Sequence, residues 1–294
     1  MTDLIVTGGL GRSGTWVVDH LRSDYDVTVL DLDHPGWNAA GVEGVDFRAV
    51  DLTDFGGVAD LVAEIDPDAV VHWGAIPAMG RNPGSEVFRN NVLASYNVLV
   101  SAGRAGADVV QASSESAYGT VFAAETWLPD YFPVDEAHEL RPEDSYGASK
   151  VTAEELGKTV TRRYGVDVVS IRPSWIQFPG EYACLDNRDD LAAGEGNFWS
   201  YVDVRDIATL VAAGLETDVG GHEPFLGVAA ENYMDRPTTD LIEEHFGTLP
   251  DRCDLEGDEA AFTTAKAREQ LDWAPAHSYE TAAEEDVPEP ELVD

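Results

Sequence analysis

The first 172 residues alternate short apolar, β-branched runs with longer segments of helical periodicity, and this alternation constrains the fold more than any other feature. The strand-like runs cover 4–6, 26–30, 45–50, 69–72, 108–112 and 166–171, and the helical segments cover 13–22, 54–65, 85–103 and 146–164. Strands that alternate with helices predict an α/β fold with a doubly wound parallel sheet. Ligands of such sheets bind at the carboxyl ends of the strands.

The alternation loosens after Arg172, where the chain becomes rich in Gly, Asp, Glu and aromatic residues. We therefore predict a first domain at 1–172 and a small, mainly substrate-binding lobe at 173–283, with 201–215 returning to the core. Residues 284–294 carry acids and two prolines without apolar periodicity, which predicts a disordered acidic tail.

Three glycines, Gly8, Gly11 and Gly14, follow the first strand and open the first helix. Glycine lets the backbone approach a pyrophosphate, and the helix N-terminus supplies N–H groups and a favourable dipole. Asp31 ends the second strand, where a carboxylate would accept hydrogen bonds from the adenosine ribose of NAD. Arg12 stands beside the loop and could neutralise the 2′-phosphate of NADP. The first domain is thus predicted to be a Rossmann-type dinucleotide-binding domain, with NAD favoured and NADP left open.

Tyr146 and Lys150 lie four residues apart, on one face of a predicted helix. Ten Tyr and three Lys in 294 residues predict about 0.1 chance occurrences of this spacing. An ammonium beside a phenol favours the phenolate, which suits a general base. The alternative is an ordinary solvated helix face.

The net charge of −38, from 56 acidic and 18 basic residues, limits the possible partners and the setting. Acids are scattered along the whole chain, and their repulsion would be screened over about 3 Å at molar salt. We expect a protein of a high-salt cytoplasm; a merely acidic enzyme is the alternative. The charge argues against nucleic acid as a partner. The two cysteines are far apart in the sequence, which predicts a reduced compartment and no metal site. The sequence shows neither a signal peptide nor an apolar run long enough to span a membrane, which predicts a cytoplasmic location without membrane binding.

Several ordered motifs make residues 3–275 resemble the extended short-chain dehydrogenase/reductase family, also called the nucleotide-sugar epimerase/dehydratase family. The motifs are the glycine pattern from Thr7 to Gly14, Asp51-Leu52, Val71-His72-Trp73-Gly74-Ala75, Asn91, the Ser-Ser-x-x-x-Tyr-Gly of 113–119, Tyr146-x-x-x-Lys150, and Leu271-Asp272-Trp273-Ala274-Pro275.

The resemblance implies a catalytic Ser114, Tyr146 and Lys150. Tyr146 would take a proton from a substrate hydroxyl while hydride passes to nicotinamide, and Ser114 would orient the reacting oxygen. Lys150 would lower the pKa of Tyr146 and hold the nicotinamide ribose. Taken alone, Ser114 could equally be a strand-end cap. The implied cofactor contacts are Gly8, Gly11, Arg12, Ser13, Gly14, Asp31, Asp51, Leu52, Gly74, Ala75, Ile76, Asn91, Tyr146, Lys150 and Pro173.

Residues after the sixth strand bear on which reaction is catalysed. Nucleotide-sugar enzymes of the family usually carry an Asn soon after Arg172, and none occurs here before Asn187. A diphosphate needs cations, and Arg188 is the only basic residue between Arg172 and Arg205. This disfavours an epimerase or dehydratase, although Arg205 and Arg236 remain possible clamps.

The segment looks more like the uronate and aldose 1-dehydrogenases of the family. Uronate enzymes carry an Arg where Ala183 follows Tyr182, and Asn-His where this chain has Glu115-Ser116. We expect Glu115 to face the pocket and to repel a uronate, the alternative being that it turns to solvent. The favoured reaction is oxidation of a neutral aldose, such as L-arabinose, D-xylose or D-galactose, at C1 to the lactone. The expected substrate contacts are Ser114, Glu115, Ser116, Tyr146 and Trp175.

The sequence also predicts how subunits associate. Members of this family commonly pair two long helices per subunit across a two-fold axis, and the candidates are 85–103 and 146–164. The first has an apolar surface too wide for the sheet alone to cover. We expect a homodimer or homotetramer, unless the C-terminal lobe covers that surface.

Overall fold

The computed structural model describes residues 2–33, 42–77, 80 and 82–292, and its centre is a parallel sheet. The strands in these residues are β1 (Thr2–Thr7), β2 (Tyr25–Asp31), β3 (Val45–Ala49), β4 (Ala69–His72), β5 (Asp108–Ala112), β6 (Val168–Pro173), β7 (Ile176–Gln177), β8 (Val202–Asp203) and β9 (His222–Gly227). The large sheet has the order β3-β2-β1-β4-β5-β6-β9, and β7 pairs with β8 in a separate ribbon. The strand order reverses between β1 and β4, which is where such sheets bind ligands.

Helices cover both faces of the sheet. They are α1 (Arg12–Leu21), α2 (Phe55–Ile65), α3 (Gly84–Ala105), α4 (Ser145–Tyr164), α5 (Val204–Glu216), α6 (Thr238–Phe246), α7 (Ala265–Gln270) and α8 (Tyr279–Ala282). One apolar core joins α1 and α5 to the sheet, and another joins α2, α3 and α4 to its opposite face. The prediction of a doubly wound parallel sheet is confirmed. None of the described helices combines the length and the apolar character needed to cross a membrane.

The smaller lobe has an aromatic core of its own, which includes Phe198, Trp199, Tyr201 and Tyr233. Phe132, from the predicted first domain, is also part of this core. The sequence boundary at residue 172 therefore does not separate the two cores. The long connection between β5 and α4 crosses into the lobe and brings residues before 172 with it.

Two C-terminal segments differ from the sequence analysis. The edge strand β9 pairs with β6 and was not predicted, because its first half is polar and contains Pro224, which only an edge strand tolerates well. The segment 284–292 was predicted to be disordered, and within it Leu292 is 2% exposed in the core that contains α1 and α5. Glu285 pairs with Arg205 and Glu289 pairs with Arg12. Residues 293 and 294 of the predicted tail lie outside the described residues.

Candidate active site

The glycine loop has no room for side chains, so it can hold a dinucleotide only through its backbone. Gly8 has φ +69°, and a Cβ on it would lie 2.5 Å from the Cα of Gly74. A Cβ on Gly14 would lie 2.1 Å from the carbonyl oxygen of Gly8. Gly11 is the N-cap of α1 and makes no side-chain capping bond, an arrangement in which a phosphate can take the place of a cap. The loop thus presents backbone to a ligand at the switch point of the sheet.

Asp31 and Arg12 stand on either side of this loop. The Asp31 carboxylate accepts hydrogen bonds from the backbone N–H of Leu10 at 3.1 Å and of Leu32 at 2.7 Å. A carboxylate has further lone pairs, so this fixed position still allows it to accept ribose hydroxyls.

Arg12 differs from the sequence expectation. Its guanidinium pairs with Glu181 and Glu289 and lies 3.7 Å from the centre of the Phe178 ring. These partners come from the smaller lobe and the C-terminal segment, so Arg12 links three parts of the chain. Its charge is balanced there by these two carboxylates, and a contact of Arg12 with the 2′-phosphate of NADP stays a prediction.

Other residues predicted to contact the cofactor also make contacts within the protein. The Asp51 carboxylate accepts hydrogen bonds from the backbone N–H and the hydroxyl of Thr53, which hold its pKa below the usual value. The Leu52 side chain packs against Gly74, where a Cβ would lie 2.7 Å from its Cδ1. Ser13 accepts a hydrogen bond from the indole N–H of Trp73 at 3.0 Å.

Asn91 supports the cofactor wall indirectly. Its Oδ1 accepts a hydrogen bond from the backbone N–H of Ile76 at 2.9 Å, and its Nδ2 donates to the Ile76 carbonyl at 3.1 Å. Asn91 therefore fixes the chain that follows β4, next to Gly74 and Ala75. A contact of Asn91 with the cofactor itself stays a prediction.

A cavity of about 580 Å³ opens at the carboxyl ends of the strands beside the glycine loop, a volume typical of small-molecule sites. All the residues predicted to be catalytic or to bind the substrate line it, together with Ser13, Ala75 and Pro173 from the predicted cofactor contacts. Further lining residues, missed by the sequence analysis, include Phe122, Ser174 and Asn197.

Ser114 follows β5 at the start of a short 3₁₀ turn. Its hydroxyl oxygen accepts a hydrogen bond from the backbone N–H of Ser116 at 3.1 Å, which is the capping role considered above. A serine hydroxyl keeps its own proton when it caps a turn, so it can still donate to another oxygen. Capping and substrate contact are therefore compatible, and the cap fixes the position of the hydroxyl.

Helix α4 brings Tyr146 and Lys150 into the cavity. The helix begins after Asp144, whose carboxylate caps it by accepting from the backbone N–H groups of Tyr146 and Gly147, both at 2.8 Å. The Lys150 ammonium donates to the carbonyl oxygen of Ala112 at 2.7 Å and lies 5.5 Å from the centre of the Tyr146 ring.

The pKa values of this pair differ from the sequence expectation. Burial raises the pKa of Tyr146 to about 12, with the Ser114 hydroxyl opposing the shift, and burial lowers the pKa of Lys150 to about 8. Lys150 was expected to lower the pKa of Tyr146. It does not do so here, because burial of the phenol dominates and the ammonium is held at the Ala112 carbonyl.

Glu115 faces the cavity and is 5% exposed, which excludes the alternative that it turns to solvent. Burial raises its pKa to about 8, with the Ser174 hydroxyl opposing the shift. The carboxyl is therefore largely protonated near neutral pH. The expected repulsion of a uronate required an ionised Glu115, so that part of the sequence argument is wrong.

A buried ion pair beneath the cavity holds these elements together. Arg172 donates to both carboxylate oxygens of Glu154, at 2.8 and 2.7 Å, and to the hydroxyl of Tyr118 at 2.9 Å. The Ser113 hydroxyl donates to the same carboxylate at 2.6 Å. Although burial opposes ionisation, Arg172 lowers the pKa of Glu154. The pair ties the end of β5 and the end of β6 to α4, one turn beyond Lys150.

Two curated relatives illustrate the range of similar proteins. A putative UDP-glucose 4-epimerase from Methanocaldococcus jannaschii is 33% identical over 177 residues, which are 58% of this chain and 55% of that protein. An L-arabinose 1-dehydrogenase (NAD(P)(+)) from Haloferax volcanii is 30% identical over 185 residues, which are 60% of this chain and 68% of that protein. The chain thus spans little more than half of the first relative and about two thirds of the second.

A solved structure of UDP-glucose 4-epimerase from Thermotoga maritima, with UDP-glucose, has the same fold. It superimposes with a TM-score of 0.72 at 22% identity, over 96% of each chain. The model of the NAD dependent epimerase/dehydratase family matches residues 4–224, most of the sequence. The chain therefore belongs to this NAD-dependent family, and its glycine loop fits the cofactor that gives the family its name.

Proposed function

We propose that this protein oxidises a free neutral aldose at C1 to the lactone, with NAD as the hydride acceptor and with L-arabinose, D-xylose and D-galactose as the leading substrates. The observation that carries the proposal is the charge of the cavity wall. Among the described residues that line it, Lys150 is the one cation, and the other polar side-chain groups are hydroxyls, two indole N–H groups, an amide and a buried carboxyl. Such a wall suits sugar hydroxyls better than a phosphate or a carboxylate.

The arginines that could hold a nucleotide diphosphate are engaged elsewhere. Arg188 donates through its Nε to the carbonyl oxygen of Tyr233 and lies over the Tyr279 ring, while its Nη2 is buried without a partner among the described residues. Arg205 pairs with Asp203 and Glu285. Arg236 pairs with Glu244 on α6. These contacts argue against the epimerase and dehydratase reactions.

A uronate is disfavoured for a related reason. Ala183 stands where a uronate enzyme carries its Arg, and the described cavity wall offers no guanidinium to a carboxylate. Only the lack of a cation disfavours binding of a uronate, because a protonated Glu115 does not repel an anion.

The proposed reaction divides the work among three side chains. The Ser114 hydroxyl donates to the C1 oxygen, and Tyr146, once ionised, takes the proton of the C1 hydroxyl as the C1 hydride leaves. Because burial raises the pKa of Tyr146 to about 12, the reaction should be faster at alkaline pH. Loss of one proton and one hydride converts the ring hemiacetal into the lactone. NAD, when bound, supplies the hydride acceptor. Lys150, held by the Ala112 carbonyl, would donate to the ribose hydroxyls of the cofactor.

A substrate panel tests the proposal. Purified protein in molar salt with NAD is mixed with neutral aldoses, uronates and UDP-sugars, and NADH is followed by its absorbance at 340 nm. We expect net NADH from neutral aldoses only. Conversion of a UDP-sugar without net NADH would indicate an epimerase, and NADH from uronates alone would indicate a uronate dehydrogenase.

A further inference from the structure

Phe122 is an exposed aromatic residue in the wall of the cavity. It is 37% exposed, and the other large apolar residues that are similarly exposed in the described part of the chain are Leu32, Phe88, Leu93 and Tyr96. None of these four lines the cavity, whereas Phe122 does. A single apolar side chain on an outer surface needs no explanation, but an open aromatic ring in a concave site is available to a ligand.

The segment that carries Phe122 is held in place on both sides of the ring. Just before it, the backbone of Val121 packs closely on Gly196, where a Cβ would lie 2.8 Å from the Cα of Val121. After it, the Thr126 hydroxyl donates to the Glu195 carboxylate at 2.9 Å. The ring is therefore presented to the cavity by backbone that is fixed before a ligand binds, which reduces the entropy lost on binding.

Phe122 also lies beside the phenol of Tyr146. The two rings meet edge to face, with their centroids 6.3 Å apart and an interplanar angle of 86°. The proposed reaction places the C1 oxygen of the sugar at the hydroxyls of Ser114 and Tyr146, which are close enough for Ser114 to affect the pKa of Tyr146. A sugar ring packed on Phe122 at the usual carbon–carbon distance of about 3.5–4.0 Å therefore stays beside these hydroxyls.

We propose that Phe122 binds the substrate by packing its ring against the C–H groups of the sugar carbons remote from C1. The hydroxyls of an aldose ring project mainly around its rim, so its faces expose C–H groups that are better buried against an apolar surface. Hydroxyl-bearing residues of the wall suit the rim, and Phe122 suits a face. Pentoses and hexoses share these C–H groups, so the contact serves both. This inference rests on the proposed function and adds to it a residue outside the family motifs.

Phe122→Ala tests the contact with the best aldose of the substrate panel. Burial of two sugar carbons against a phenyl ring is worth roughly tenfold in affinity, so KM for the sugar should rise about 5- to 20-fold. The turnover number kcat should change less than about threefold, because ground state and transition state share this contact. KM for NAD should stay within about twofold of wild type. Phe122→Tyr keeps the ring and should keep a sugar KM near that of wild type. If Phe122→Ala does not fold, Phe122→Gln provides the same comparison, since it also lacks the ring.

Glu125→Ala is the control. Glu125 is an exposed acid in the same connection and is not part of the cavity wall, so its sugar KM should equal that of wild type. If Phe122 only shielded Tyr146 from water, its removal would shift the pH profile of kcat to lower pH and leave the sugar KM unchanged. An unchanged sugar KM in Phe122→Ala, with or without that shift, would refute the role of Phe122 alone. An equal rise in KM for the sugar and for NAD would show general distortion of the site and would also refute it. A wild-type protein that oxidises no free aldose would refute the proposed function and, with it, this inference.

Discussion

Replacing Glu115 by Gln should change how the free energy of unfolding depends on pH. The side chain is 5% exposed and its pKa is raised by burial to about 8, from an ordinary 4.5. Between pH 4.5 and about pH 8, Glu115 is ionised in the unfolded chain and protonated in the folded protein. The folded state then binds more protons, so Glu115 costs stability as the pH rises through this window.

The size of the effect follows from the shift. Each unit corresponds to about 1.36 kcal/mol, so a change from about pH 5.5 to about pH 8 should lower the stability of wild type by about 3 kcal/mol relative to Glu115→Gln. The lower limit stays above the isoelectric point of about 4.1. Below about pH 4.5 and above about pH 8 the difference between the two proteins should be constant, because both states then have the same charge at Glu115.

Urea unfolding in molar KCl, followed by tryptophan fluorescence, measures this difference. Other titrating groups contribute equally to both proteins and cancel. Glu125→Gln is the control. Glu125 is an exposed acid in the connection between β5 and α4, so the stability of this variant should depend on pH as that of wild type does. A stability difference between wild type and Glu115→Gln that does not change with pH would refute the assignment of a buried, neutral Glu115.

The remaining predictions concern chemistry, cofactor and assembly. Tyr146→Phe should lose about 10²- to 10⁴-fold in turnover and still bind NAD by calorimetry, whereas Lys150→Ala should lose both; wild-type turnover in Tyr146→Phe would reject its role. NAD should give a higher kcat/KM than NADP, and Arg12→Ala should hardly alter the ratio, because Glu181 and Glu289 already hold its guanidinium; a preference for NADP would contradict this. Light scattering in molar salt should show a dimer or tetramer formed through α3, which exposes Phe88, Leu93 and Tyr96, and α4; a monomer mass would refute it. Both association and folding should weaken as salt is removed, since the chain carries a charge of −38; full stability in salt-free buffer would refute adaptation to high salt.

The features predicted from sequence are those that neighbouring residues determine. The glycine loop, the strand ends and the spacing of Tyr146 and Lys150 depend on local backbone geometry, so their placement at the carboxyl edge of the sheet could be predicted. Asp31 and Ser114 follow from the same rule, because Asp31 ends β2 and Ser114 comes shortly after the end of β5 in a parallel sheet.

The errors concern partners that are distant in the sequence. Arg12 was considered a possible partner of the 2′-phosphate of NADP, and the sequence did not predict that it pairs with Glu289, 277 residues away. Asn91 has the expected position, but the sequence did not predict that its amide oxygen and its amide nitrogen both bond to the backbone of Ile76. Asn197 belongs to no motif, and only the structure shows that it lines the cavity. The pKa of Tyr146 depends on burial, which spacing alone cannot predict.

The most direct test of the proposed reaction is to follow the hydrogen on C1. An aldose deuterated at C1 should transfer its deuterium to the nicotinamide ring, so that mass spectrometry detects deuterated NADH together with the lactone in equal amounts. Tyr146→Phe should form neither product. Recovery of the aldose with its deuterium in place, while a UDP-sugar is interconverted without release of NADH, would contradict the account.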